Sequence, residues 1–136
     1  MKNYRYPITK DDFVTAGRAS SQIKQLLKGL GVERDTLRNI SIACYEAEIN
    51  TVIHSLGGEV VLEITSEYIQ LEFIDNGPGI DDIEKALSPG YSTATEEARG
   101  YGFGAGMGLP NIKRVADYFD IQSNPEGTRL TLRFNV

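Results

Sequence analysis

The chain has 136 residues, 40% apolar and 24% charged, with a formal net charge of −5. That length suits one domain, able to bury roughly 65–70% of its extended-chain surface without cross-links, and the lone Cys44 rules out a disulfide within the chain or a cysteine-built metal cage. The acidic balance argues against nucleic acid, which binds basic surfaces. No run approaches the ~18 apolar residues of a membrane span, and Met1-Lys2-Asn3-Tyr4-Arg5 lacks a signal-peptide core, so the expectation is a cytoplasmic protein without a membrane partner.

Residues 3–8 alternate weakly and read as an edge strand that tolerates Pro7. Thr9, Asp11 or Asp12 can cap a helix running to about Lys28, with Phe13, Ile23, Leu26, Leu27 and Leu30 as its apolar members and Gly29 and Gly31 ending it. A second helix spans about Glu33 to Leu56 and stops at Gly57-Gly58. Strands Glu59–Thr65 and Tyr68–Asp75 follow, then a turn at Asn76-Gly77-Pro78-Gly79 and a short helix over Ile80–Leu87. Residues 88–106 form a long glycine-rich stretch without apolar periodicity, a length that usually signals function or disorder. Helix resumes near Met107 and runs to about Tyr118; strands Phe119–Ser123 and Thr128–Asn135 close the chain. Helices followed by paired strands, without strict β-α-β alternation, predict an α+β two-layer sandwich with a mixed, mostly antiparallel sheet and helices on one face.

From Gly100 to Gly108 every second residue is glycine, which costs backbone entropy that an ordinary loop need not spend. A backbone able to approach an anion, followed by a helix N-terminus, points to phosphate. Polar residues in three elements sharpen that reading. In the second helix, Ile42, Ile49, Ile53 and Leu56 make an apolar stripe, and Glu46 and Asn50 lie beside it, either as a solvated flank or as working groups. Glu48 and Ser55, on the far side, fit a solvated flank better. Asp75 falls in register with Ile69, Leu71 and Phe73, a costly place for a carboxylate unless donors meet it, although Asp also initiates turns. Thr128 is in phase with Leu130, Leu132 and Phe134, as an ordinary strand residue or as a hydroxyl beside Asp75. An acceptor and a hydroxyl at the ends of apolar faces suit a flat heterocycle with an exocyclic amine, and adenine fits.

Glu46-x3-Asn50-x3-His54, then Asp75-Asn76-Gly77-Pro78-Gly79-Ile80, then Gly104-Ala105-Gly106-Met107-Gly108-Leu109, then Gly127-Thr128, in that order, resemble the GHKL (Bergerat) ATP-binding fold from about residue 8 to the end. Within it, Gly90-Tyr91-Ser92-Thr93 and Gly108-Leu109-Pro110-Asn111-Ile112-Lys113-Arg114 look most like the RsbT-type serine/threonine switch kinases of sigma-factor regulation, with the RsbW and SpoIIAB types as near neighbours. The resemblance implies that Asp75 binds the adenine amino group with support from Thr128. It implies that Gly77, Gly79 and Ile80 line the base and ribose, and that Asn50 holds Mg²⁺. Glu46 becomes the base that takes a proton from the attacking hydroxyl. Residues 92–106 become a lid, with Thr93, Gly104, Gly106, Met107, Gly108 and Leu109 around the phosphates and Arg99 or Arg114 adding charge. Two features depart from the family pattern: the loop from Thr93 to Gly108 is longer, and no lysine follows Ser92-Thr93. His54 matches a frequent family residue and otherwise ends the helix.

The activity implied is ATP-dependent phosphorylation of a serine or threonine on an STAS-domain anti-sigma-factor antagonist or stressosome-like protein, with a sigma factor or PP2C-type phosphatase as further partners and a homodimer as a common state. The alternatives are a non-catalytic, nucleotide-dependent partner switch and a detached ATP-binding domain of a two-component histidine kinase.

Overall fold

Four ladders of inward-facing apolar side chains set the architecture of the computed structural model, which describes residues 2–10, 12, 14–77 and 108–136. Strands β1 (Lys2–Ile8), β2 (Gly58–Ile64), β3 (Tyr68–Asp75), β4 (Tyr118–Asn124) and β5 (Gly127–Asn135) form one sheet in the order β1-β2-β3-β5-β4. All four pairings are antiparallel, so the described sheet has no parallel pair where a mixed one was expected. The register aligns Tyr6, Val60, Phe73, Leu130 and Ile121 in one row across the sheet, and Tyr4, Leu62, Leu71, Leu132 and Phe119 in the next. These residues are buried or packed against the core.

The alternate positions carry Glu59, Glu63, Gln70, Glu72, Arg129 and Arg133 on the other face. There Arg133 lies 4.4 Å from the Tyr68 ring centroid, and its Nε donates to Gln70 at 2.8 Å. One apolar face and one polar face make this a two-layer α+β sandwich. Helices α1 (Arg18–Gly29), α2 (Arg34–His54) and α3 (Gly108–Val115) supply the second layer. Among the described residues, no helix is long and apolar enough to cross a membrane.

The first helix begins later than the capping residues suggest. Asp12 turns back on the chain instead, accepting from the N–H of Thr15 at 3.2 Å and from its hydroxyl. Gly17, at φ 97°, then sets the start at Arg18. Leu30 is the exposed residue after α1, not a core member. Helix α3 stops at Val115, three residues short of Tyr118, which opens β4.

The burial of α2 corrects the stripe read from the sequence. Ile49 is buried and Ile53 packs on the core, but Leu56 is 56% exposed and lies beyond the helix. The core side of α2 is built from Ile40, Ala43, Cys44, Ala47, Thr51 and Ser55, all buried. Small residues dominate because α2 is flanked by α1 and α3 and also meets the sheet, so its backbone approaches neighbours closely. The two hydroxyls cost little there: Thr51 donates to the Ala47 carbonyl at 3.0 Å and Ser55 to that of Thr51 at 2.6 Å.

Glu48 is the larger correction. It is 3% exposed, not solvated, and its carboxylate receives the N–H groups of Gly17 (3.0 Å), Ala19 (3.3 Å) and Ser20 (2.8 Å) and the Ser20 hydroxyl (2.5 Å). It therefore caps the N-terminus of α1 from another helix, where an anion is favoured. Cys44, one turn before Glu48, is buried; burial, reinforced by the Glu48 charge, pushes its thiol up to about 12 against a smaller opposing effect of Ser20. The thiol stays protonated and inert.

Candidate functional site

Asp75 and Thr128 meet at one end of the sheet. One step past the Ile74–Arg129 pair, Asp75 faces Thr128, whose N–H donates to Asp75 Oδ1 at 2.9 Å. Gly58 stands beside Asp75 on β2, and Ser123 stands opposite Thr128 on β4. The row above Val60, Phe73, Leu130 and Ile121 thus reads Gly58, Asp75, Thr128, Ser123. By strand alternation its side chains project to the helix-covered face, capping the apolar ladders with a carboxylate and two hydroxyls.

Both expectations for Asp75 hold together. Its Oδ1 takes the N–H of Gly77 at 3.0 Å, an Asx turn, as well as that of Thr128 across the strand. Both bonds fall on one oxygen, so among the described residues Oδ2 keeps its acceptor capacity. The turn itself is forced by steric contact. Gly77 has φ 98°, and a Cβ there would sit 2.8 Å from the Pro125 carbonyl oxygen. A Cβ on Gly127 would lie 2.2 Å from the Asp75 carbonyl oxygen. Only glycine lets the β3 exit and the β4–β5 turn come this close. Gly127 is a determinant of the site that the sequence marked only as the neighbour of Thr128.

The end of α2 is tied to the same corner. The Leu56 N–H donates to the Gly77 carbonyl at 2.7 Å and the Asn76 N–H to the Gly57 carbonyl at 3.0 Å. Ser55 holds the chain for that crossing, accepting from the Gly57 N–H at 3.0 Å. Asn50 and Glu46 lie one and two turns back from His54, on the flank of α2 beside Ala43 and Ala47. Both are half-buried, and their side chains have no hydrogen-bond partner among the described residues. Burial raises the carboxyl pKa of Glu46, which makes it a better proton acceptor than an exposed glutamate.

Helix α3 begins at Gly108 and is anchored by buried Leu109 and Ile112 next to α2. Arg114 sits in its last turn, exposed, with Nη2 donating to Asn111 Oδ1 at 3.4 Å, about 9 Å of helix away from Gly108. Gly79, Ile80, Thr93, Arg99, Gly104, Gly106 and Met107 lie outside the described residues, as do the 80–87 helix, Phe13 and the side chain of His54.

Whether Mg²⁺ suits these residues follows from the donor set. Among the described residues no group of three His, Cys, Asp or Glu side chains is close enough to hold a metal. An amide oxygen from Asn50 is one hard ligand. That matches an ion which keeps several waters and takes most other ligands from a bound polyphosphate.

Comparison with known proteins agrees with this fold. The model of the family described as the histidine kinase-like ATPase domain matches residues 11–134. The anti-sigma F factor of a Thermoanaerobacter strain is 33% identical over 96 residues, covering 67% of this chain and 64% of its own length. The chain thus spans under two thirds of that curated relative. The serine/threonine-protein kinase RsbT of Bacillus subtilis is 29% identical over 128 residues, covering 90% of this chain and 88% of its own. Among solved structures, the RsbU and RsbW domains of a Mycobacterium tuberculosis protein superpose with TM-score 0.64 at 19% identity, over 98% of this chain and 32% of that one. The mycobacterial sensor histidine kinase MprB follows at TM-score 0.55 and 15% identity, over 97% of both chains. At those identities the two structures establish the fold.

Proposed function

The chain belongs to the histidine kinase-like ATPase domain family, and from that membership we propose that it binds ATP with Mg²⁺ and phosphorylates a serine or threonine of a protein partner. The observation that carries the nucleotide half is Asp75, a carboxylate at the end of an apolar face with Oδ1 engaged by Gly77 and Thr128 and Oδ2 left to accept from an adenine amino group. The transfer half rests on Glu46 and on the name of the Bacillus subtilis relative.

In this reading Asp75, Thr128 and Gly77 hold the base. Gly79 and Ile80 would serve the base and ribose with them, and Gly108 and Leu109, opening α3, would serve the phosphates with Thr93, Gly104, Gly106 and Met107. Asn50 would supply an oxygen to Mg²⁺, which neutralises phosphate charge when bound. Glu46 accepts the proton of the attacking hydroxyl, and its half-buried position keeps its proton affinity high enough for that task. Phosphoryl transfer asks little more of a protein than positioning and charge neutralisation. The partner that fits is an STAS-type anti-sigma-factor antagonist met in the cytoplasm, with residues 1–136 acting as one kinase domain. The anti-sigma F factor relatives favour a second role on the same molecule, nucleotide-dependent capture of a sigma factor.

The test is incubation with labelled ATP, Mg²⁺ and purified STAS proteins. Wild type should label the partner, and Glu46→Gln should bind ATP normally while transfer slows about 10²- to 10⁴-fold. Equal transfer rates would remove Glu46 from the chemistry, and labelling of histidine in place of serine or threonine would replace the substrate class.

A further inference from the structure

The solvent side of the helical layer is basic, on a chain whose formal net charge is −5. Helix α1 contains no aspartate or glutamate, and its exposed positions carry Arg18, Lys24 and Lys28 among Ser21, Gln22 and Gln25. The described exposed residues of α2 are Arg34, Asp35, Arg38 and Tyr45. Arg34, Arg38 and Tyr45 follow one another at spacings of four and seven residues, so they share one line along the helix, about 17 Å long. Gly17 lies against the Tyr45 ring, where an added Cβ would be 3.1 Å from Cε1, and residues 30–33 join the far ends of the two helices. The helices therefore run side by side in opposite directions, which brings the Lys28 end of α1 to the Arg34 end of α2.

An ordinary solvated face interleaves charges of both signs. The sheet side does so: Arg5 pairs with Glu59 at 2.6 Å and Arg129 with Glu72 at 3.6 Å. On the helical side Arg18 lies near Asp12 and Arg34 near Glu33, whose carboxylate is occupied in capping α2. Lys24, Lys28 and Arg38 have no hydrogen bond or ion pair among the described residues. A face that keeps like charges unpaired favours an anionic partner. The line on α2 ends at Tyr45, 41% exposed and one residue before Glu46. A protein hydroxyl that reaches Glu46 brings its own surface over this end of the helical layer.

Resting on the reading that Glu46 is the base, we propose that Lys24, Lys28, Arg34 and Arg38 are a docking face for an acidic surface of the protein substrate, which passes Tyr45 to present its serine or threonine. The exposed arc of α1 holds no apolar side chain to enter a bilayer, which favours a protein over a membrane. Exposed charges act mainly on encounter, so the face sets the substrate KM and its salt dependence and not the chemical step.

The experiment compares two variants with the same change of net charge, Lys28→Glu/Arg38→Glu on the helical side and Asn3→Glu/Arg5→Glu/Gln122→Glu on the sheet side. The probe is a fluorescein-labelled peptide of about fifteen glutamates, followed by anisotropy from about 50 to 300 mM NaCl. Wild type should bind it with an affinity that falls as salt rises. Lys28→Glu/Arg38→Glu should lose about tenfold, and the sheet-side variant should bind as wild type does. With an STAS protein that wild type labels, Lys28→Glu/Arg38→Glu should raise KM about tenfold at unchanged kcat. Equal losses of peptide affinity in the two variants, a loss in neither, or an unchanged KM overturns the docking face. Binding to vesicles of phosphatidylserine and phosphatidylcholine that falls in the same variant would put a membrane in place of the protein and overturns it too. ATP affinity, measured by calorimetry on the same samples, should be equal in all three. A wild type that binds ATP and labels no STAS protein overturns the kinase reading, and the peptide comparison then decides the acidic docking face by itself.

Discussion

Replacing Asp75 by asparagine separates the two oxygens of that carboxylate. The asparagine carbonyl can stand where Oδ1 stands and still accept from Gly77 at 3.0 Å and Thr128 at 2.9 Å. What is lost there is the charge on the acceptor. Charge-assisted bonds are roughly twice as strong as neutral ones, so two weakened bonds cost about 1–2 kcal/mol of stability, roughly 3–8 °C in Tm for a chain of this size. At the other oxygen the change is qualitative, because an amide NH₂ replaces Oδ2 and faces the adenine amino group donor to donor. Leaving that buried pair unsatisfied should weaken ATP binding by about 1–3 kcal/mol, roughly 5- to 150-fold. Guanine carries a carbonyl oxygen at the same place, so GTP binding should not fall in parallel. Titration calorimetry of ATP and GTP against wild type and Asp75→Asn, with melting curves of both, gives all three numbers. An Asp75→Asn protein that folds and binds ATP with the wild-type Kd would refute the assignment of Oδ2 to the base. Parallel loss of ATP and GTP would show that the substitution acts through the turn and not through the base.

Three other outcomes follow from the surroundings of Glu46, Glu48 and Gly127. Burial raises the Glu46 pKa, so the native state binds that proton more tightly than the unfolded chain does; the ionised form costs stability as pH rises from the unfolded pKa through the folded one. Glu46→Gln should therefore raise Tm at neutral pH, with the gain vanishing at acid pH, and phosphotransfer by wild type should switch on above the ordinary carboxylate range; a pH-independent Tm difference would contradict this. Glu48→Ala leaves the N–H groups of Gly17, Ala19 and Ser20 without their acceptor, which should cost about 3–5 kcal/mol in urea unfolding, with Glu48→Gln in between; a loss under about 0.5 kcal/mol, the level of an ordinary surface change, would mean that water replaces the carboxylate. Gly127→Ala puts a Cβ 2.2 Å from the Asp75 carbonyl, so β3 and β5 must separate, at about 1–3 kcal/mol in stability and with clearly weaker ATP binding by calorimetry; wild-type values for both would show that the turn relaxes freely.

The strands were legible because each buries one face: alternation placed Ile69, Leu71 and Phe73 inward, and the structure pairs them with Phe134, Leu132 and Leu130. The same alternation exposed Asp75 and Thr128 as polar residues in apolar phase, and they are hydrogen-bonded partners. The helices were harder for a physical reason. Helix α2 is covered on several sides, so its isoleucines do not mark one core face, and the small residues Ala43, Cys44 and Ala47 are among its most buried. The start of α1 could not be found from its own sequence, because its cap is Glu48, 28 to 31 residues away. A local capping rule sees only Thr9, Asp11 and Asp12. Ser123 was passed over because nothing in an alternating strand distinguishes a hydroxyl that meets another across the ladder from one that does not.

Glu46 and Glu48 show how little the residue type decides. They are two positions apart on one helix, about 200° around its axis, and both are withdrawn from water to some degree. Glu48 points where α1 begins, meets four donors and is fully engaged by them. Such a carboxylate has its oxygens committed to the helix it caps. Glu46 lies on the flank toward Asn50, where burial raises its pKa and no described donor offsets that effect. Desolvation without compensation is unfavourable for folding, and the chain accepts it at the carboxylate best placed to take a proton. The capped carboxylate therefore builds the scaffold, and the uncapped one is the candidate for chemistry. If Glu46→Gln raises stability at neutral pH while abolishing transfer, and Glu48→Gln lowers stability while sparing transfer per folded molecule, that division stands; the reverse pairing would exchange their roles.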